Sequence, residues 1–182
     1  TRVDQLRSDQ TVKLNSLVAE ANDLIQQIAR LNPQITKLES AGLLESDAGA
    51  LRTQRYTALN RLSEIIPIKY SERSDGSVDV FSGSDYVILN SSVQQLTTES
   101  GVDRGINVQN IVFSQTGSPV TTRGGELAGI LQGRDEILGG FIDDLDELAA
   151  SLIQQFNNLH SSGEGLIGFS SVTGATQVLD VA

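Results

Sequence analysis

The chain has 182 residues, a formal net charge of −10, one His and no Cys, Met or Trp. Without thiols it can form no disulfide, thiolate nucleophile or thiolate metal site, and its charge repels nucleic-acid phosphate and anionic membrane surfaces. Aromatics are 4%, so any core is aliphatic, and no apolar run approaches the roughly 18 residues a membrane span needs.

Leucine recurs every seven residues at Leu17, Leu24, Leu31 and Leu38, and a second column, Leu14, Ala21, Ile28 and Ile35, interleaves with it. Alternating steps of three and four are the seam of a long amphipathic helix that lies along another helix. The helix is expected over about residues 3–39, with Val3, Leu6 and Gln10 extending the seam backwards. Pro33 falls inside the pattern; the seam continues past it, which points to a kink or restart without change of face. A second helix is expected over about 48–65, capped by Ser46 or Asp47 and ended by Ile66-Pro67. Over about 67–119 the period changes to short alternating runs. Asp75-Gly76 and Ser82-Gly83-Ser84-Asp85 mark turns, and Phe81 breaks strict alternation. A third helix is expected over about 125–160. Leu127, Leu131, Arg134, Leu138, Phe141, Leu145, Leu148, Leu152, Gln155 and Leu159 keep the three–four step. Gly139-Gly140 in its middle reads either as a close approach or bend, or as simple tolerance.

The expected fold is thus α+β and mainly α: a rod-like, long antiparallel helix bundle over 1–163 with a small antiparallel β insertion. Residues 164–182 read as the entrance to a truncated, β-rich outer domain, and the chain as an internal fragment. The first seam (Leu14, Leu17, Leu24, Ile28, Leu31, Ile35, Leu38) is expected to face the third helix (Leu131, Leu138, Phe141, Leu145, Leu148, Leu152, Leu159) as an internal spine, leaving polar faces for assembly.

Reactive constellations are sparse. His160 lies at a helix C-terminus, where capping or exposure accounts for it. Asp143, Asp144, Asp146 and Glu147 point in different directions on a helix and read as a solvated face. Asp75 to Asp79 lacks a calcium-loop frame. Gly124-Gly125 has no phosphate-binding Lys beside it. Arg52, Arg55 and Arg61 are expected to pair with Asp and Glu on adjacent helices. No catalytic, cofactor-binding or metal residue is assigned.

Five motifs in order carry a resemblance. Ile25-x-x-Ile28-Ala29-x-Leu31-Asn32 is similar to the "I-x-x-I-A-x-L-N" stretch of the flagellar hook-associated protein 1 family, the first hook–filament junction protein. Leu51 to Leu62 resembles its "L-x-x-Q-R-D-x-L-x-x-L" helix, with Tyr56 where Asp is usual. Asp75 to Val80 matches a "D-G-S-V-x-V" turn. Gly124 to Asp135 and Phe156 to Gly163 match "G-G-x-L-x-G-x-L-x-x-R-D" and "F-N-x-x-H-x-x-G". The resemblance implies a structural subunit with no enzymatic activity and no cofactor. It implies export through the flagellar channel, with export machinery and chaperone engaged by absent terminal segments, and assembly outside the cell as a helical ring between hook and filament. The implied partners are further copies of itself, the hook protein, and the second junction protein or filament; nucleic acid and membrane are not among them. Two other classes remain: an extracellular or periplasmic helical sensor that binds a ligand among Gln10, Arg134 and Gln155, and a carboxylate enzyme built on the acidic run.

Overall fold

The computed structural model describes residues 2–40, 45–90, 92–120 and 123–162. The chain forms α1 (Arg2–Ser40), α2 (Glu45–Ile65), β1 (Lys69–Glu72), β2 (Val78–Ser82), β3 (Asp85–Leu89), β4 (Ser92–Val93), β5 (Leu96–Asp103) and β6 (Ile106–Phe113). It closes with α3 (Gly125–Gln132), a π-helical turn (Gly133–Leu138) and α4 (Gly139–Ser162). The architecture is mainly α with two small antiparallel sheets. The expected β-rich entrance at 164–182 lies outside the described residues.

α1 is one helix of 39 residues with Pro33 inside it, roughly 58 Å at 1.5 Å per residue. No restart is seen: Pro33 is exposed, so the carbonyl it deprives of a partner can turn to water. α2 begins at Glu45, so Ser46 and Asp47 lie within it rather than capping it.

The sheets sit between α2 and α3 in sequence. β1–β2–β3–β4 form an antiparallel meander. Gly76 adopts φ +81° in the β1–β2 turn, where the Asp75 carboxylate accepts from the Ser77 amide and hydroxyl. The register of β2 against β3 shifts between Val80 and Phe81, a bulge at the place where alternation fails in the sequence. β5 and β6 form a separate hairpin. Its turn residues Arg104 (φ 51°) and Gly105 (φ 71°) both take the left-handed conformation that a type I′ turn requires.

One core runs through the body. Leu14, Leu17, Val18, Ala21, Ile25 and Ile28 of α1 pack with Ala58, Leu59, Leu62 and Ile65 of α2. Val78, Val80, Val87 and Ile88 of the meander, Leu96, Ile111 and Phe113 of the hairpin, and Leu127 and Ile130 of α3 complete it. Gly125 (φ +81°) brings the start of α3 onto the end of α2: a Cβ there would stand 2.5 Å from the Ile65 carbonyl oxygen.

Two asparagines fix the sheets to α1. Asn22 Nδ2 donates to the Leu96 carbonyl at 2.9 Å, and its Oδ1 accepts from the Leu96 amide at 2.8 Å. Asn32 does the same for Val78, donating at 2.9 Å and accepting at 3.2 Å. Each side-chain amide thus pairs with strand backbone as a neighbouring strand would. Asn32 Oδ1 also accepts from Arg55 Nη1 at 3.0 Å, and the same nitrogen donates to the Gly76 carbonyl at 2.6 Å. Arg55 is fully buried. Burial pushes its guanidinium pKa down, against the opposing pull of Glu72, whose carboxylate lies 3.7 Å away.

Asn32→Ala removes two bonds to Val78 and one acceptor of a buried cation. It is expected to lower the unfolding free energy by about 2–4 kcal/mol in urea denaturation. Asn32→Asp keeps the acceptor for Arg55 and is expected to lose less; equal losses would count against the Arg55 contact.

Candidate functional site

The structure divides the expected seam in two. On α1, Leu14, Ile28 and Ile35 are fully buried, Leu17 and Leu31 nearly so, and Leu24 and Leu38 partly. Leu14, Leu17, Leu24 and Ile28 pack with α2, the two sheets and α3 rather than with α4. In the third helical run, Leu131 and Leu138 are half-buried. Beyond them Phe141, Leu145 (45% exposed), Leu148, Leu152 (58%) and Leu159 (72%) face solvent, joined by Ile153 and Phe156. The expected pairing of Leu145, Leu148 and Leu152 with α1 is therefore not the arrangement observed.

Two physical reasons account for this. First, α1 and α3 run antiparallel. Arg61 reaches both Glu20 and Glu126, which sets those two level, while Arg7 and Arg134 line one cleft of about 280 Å³. Moving from Glu126 to Arg134 thus means moving from Glu20 to Arg7, and α4 runs on past the level of Arg2. Second, the π turn changes the phase. The buried positions step through Leu127, Ile130, Arg134 and Gly139. The last step is five residues, and the extra residue of a π turn rotates the remainder of the helix by about 100°.

The result is an apolar face about 27 Å long, from Phe141 to Leu159 at 1.5 Å per residue, displayed on a helix attached to the body at one end. From Ala149 to Ser162 the helix carries no Asp, Glu, Lys or Arg. Apolar residues in contact spacing, an aromatic among them and depleted charge are the marks of an interface core.

The flank of this helix is held by arginines. Arg104, at the hairpin tip, donates from Nε and Nη2 to the two carboxylate oxygens of Asp143, each at 2.8 Å. It also bonds the Asp135 carbonyl at 3.2 Å and the Asp103 carboxylate. Arg7 of α1 reaches the same Asp103 at 2.9 Å. Gly139 is what lets Arg104 approach: a Cβ there would lie 2.5 Å from its Nη1. The close approach at Gly139-Gly140 is therefore with a guanidinium. Arg134 is buried, with Nη1 on the Gln109 carbonyl at 2.6 Å and Nε and Nη2 on Asp135.

Of the helix-two arginines, Arg61 pairs with Glu20 of α1, Glu64 of α2 and Glu126 of α3. Arg52 pairs with Glu39 and Glu72. Arg55 lies 3.7 Å from Glu72 of β1 and also serves the buried cluster with Asn32. Tyr56 donates to Glu72 at 3.2 Å. These contacts hold the carboxyls of Glu20, Glu39 and Asp143 below their ordinary pKa through hydrogen bonds from Arg61, Arg52 and Arg104 respectively.

The remaining candidates do not converge. His160 is exposed in the last turn of α4, its ring 5.7 Å from that of Phe156. Asp144, Asp146 and Glu147 are exposed. Arg134 is buried in the body while Gln155 is exposed on the free part of α4, so the polar set required by a sensor pocket is not assembled. Among the described residues no cluster of His, Asp or Glu has metal-binding geometry, and no helix is long and apolar enough to cross a membrane.

Comparison with known proteins places these features in a family. Residues 1–174 match the flagellar hook-associated protein FlgK helical domain. The chain is 26% identical over 170 residues to flagellar hook-associated protein 1 of Escherichia coli, covering 88% of this chain and 31% of that protein. It is 27% identical over 187 residues to the protein of the same name from Bacillus subtilis, covering 87% and 36%. The structure of the flagellar hook junction protein FlgK from Burkholderia pseudomallei is similar, with a TM-score of 0.58 and 26% identity over 74% of this chain and 25% of that one. The chain spans about a third of the length of the curated relatives it matches.

A carboxyl whose folded pKa is depressed stabilises the fold above its unfolded pKa and loses that effect as pH falls through the folded value. The melting temperature is therefore expected to hold between about pH 7 and 5 and to fall below about pH 4. Arg61→Gln should flatten that fall, because it removes the partner of Glu20; an unchanged acid limb in calorimetry would show the pairing to be without weight.

Proposed function

We infer the role of this chain from its kinship: it belongs to the flagellar hook-associated protein FlgK family. Its function is that of a structural subunit of the bacterial flagellum, forming the junction between hook and filament by helical self-assembly. The observation that carries this reading is the family match over residues 1–174, together with a solved junction protein of the same fold. The surface supports it. A stiff helical body held by side-chain amide pairs, with an apolar helix face left uncovered, is built to be completed by other polypeptide rather than to turn over a substrate.

On this reading the protein works outside the cell, after passage through the flagellar export channel with its chaperone. Its neighbours are further copies of itself, the hook protein on one side, and the second junction protein or filament on the other. It performs no catalysis. A chain without cysteine crosses a narrow channel unfolded with no disulfide to reduce.

Immunogold labelling of the full-length protein on isolated flagella is expected to mark one band where hook meets filament, and deletion of its gene to leave hooks without filaments. Label spread along the filament or confined to the cell body would overturn the reading. Leu148→Glu with Leu152→Glu, two exposed positions, should leave stability within about 0.5 kcal/mol yet abolish the band.

A further inference from the structure

The sequence of the third helical run and its backbone differ by one residue. On an uninterrupted α-helix, at about 100° per residue, Leu145, Leu148 and Leu152 would all lie within about 60° of the direction of Leu127. Leu127 is fully buried, so the sequence is written as though the apolar stripe continued onto the body. The π turn Gly133–Leu138 interrupts it and turns the stripe outward.

The π turn is held from outside. Arg104 grips the Asp143 carboxylate with two bonds and takes the Asp135 carbonyl within the turn. Arg134 anchors to the Gln109 carbonyl. Arg104 itself sits at φ 51°, a conformation a non-glycine residue adopts at a cost. Gly133 and Gly140 bracket the turn. Neither has a positive φ, and a Cβ on either would meet nothing within 4 Å. Packing does not require them to be glycine; their effect is to weaken α-helix on both sides of the turn.

We propose that Gly133–Leu138 is a register switch and that Arg104 is its latch. Latched, as in this structure, the turn displays the stripe of α4 to a partner. Released, the turn closes to α geometry, α4 rotates by about 100° about its axis, Asp143 leaves Arg104, and Phe141 swings toward the body on the side of Leu6, which is exposed. Each state has bonds the other lacks: two charge-assisted hydrogen bonds in one, apolar contacts in the other. That is the condition for a partner to select between them. The switch is a property of this chain alone and stands apart from the flagellar reading.

The absence of cysteine makes single thiols clean reporters. Phe141→Cys and Ile142→Cys are placed in separate chains and their maleimide reaction rates compared. Phe141 is exposed and Ile142 half-buried, so Phe141→Cys should react faster. Rotation buries position 141 and alters position 142 little. In an Arg104→Gln background the rate ratio is expected to fall roughly threefold or more, and in a chain lacking Ile137, which removes the extra residue, the order should reverse. A ratio unchanged in both backgrounds, with helix content retained by circular dichroism, would overturn the proposal. So would a ratio that moves only as helix content is lost.

Discussion

The body depends on α1 being read by backbone. Asn22 and Asn32 each present both halves of an amide to a single strand residue, Leu96 and Val78. An apolar seam alone cannot do this, because burial is non-directional and lets elements slide. The paired amide bonds are directional and fix where β2 and β5 start along the helix. Around the Asn32 pair the Arg55 guanidinium closes a buried polar cluster that also engages the Gly76 carbonyl. Only Nη1 of that guanidinium is hydrogen-bonded, its Nε and Nη2 being buried without a hydrogen-bond partner; a cluster already this costly tolerates few alternative arrangements of helix, turn and strand.

Much of the fold was legible because it is locally determined. The two seam columns of α1, the Asp75-Gly76 and Gly83-Ser84 turns and the irregularity at Phe81 follow from side-chain periodicity and from the few residues that accept positive φ. Ile25, fully buried, falls outside the two seam columns, because the sheets widen the buried face of α1 to a third. The asparagine pairs were illegible for a different reason: their partners are main-chain groups 74 and 46 residues away, which no side-chain pattern announces. The arginines of α2 were foreseen as ion-pairing in kind, which fits Arg52 and Arg61 better than the buried Arg55.

The display surface was half legible. The stripe from Phe141 to Leu159 is plain in the sequence, and so are its uncharged flanks from Ala149 onward. What the sequence could not show is the direction in which it faces. That direction is set by one turn of backbone, and the turn by Arg104 and Arg134, contacts that belong to tertiary structure. A heptad pattern identifies a helix that needs covering; it does not say whether the cover comes from the same body. Here the antiparallel run of α3 beside α1 carries α4 past the body, so most of the stripe looks outward.

The two asparagine pairs also have a mechanical meaning. They lie ten residues apart on α1, about 15 Å along its axis, and both tie the same helix to the strands. Tension applied along α1 would stretch the two pairs together, as rivets in parallel share shear. Peeling, in which bonds yield one after another, needs a force across the helix. The molecule is therefore strongest along the axis on which its longest element lies.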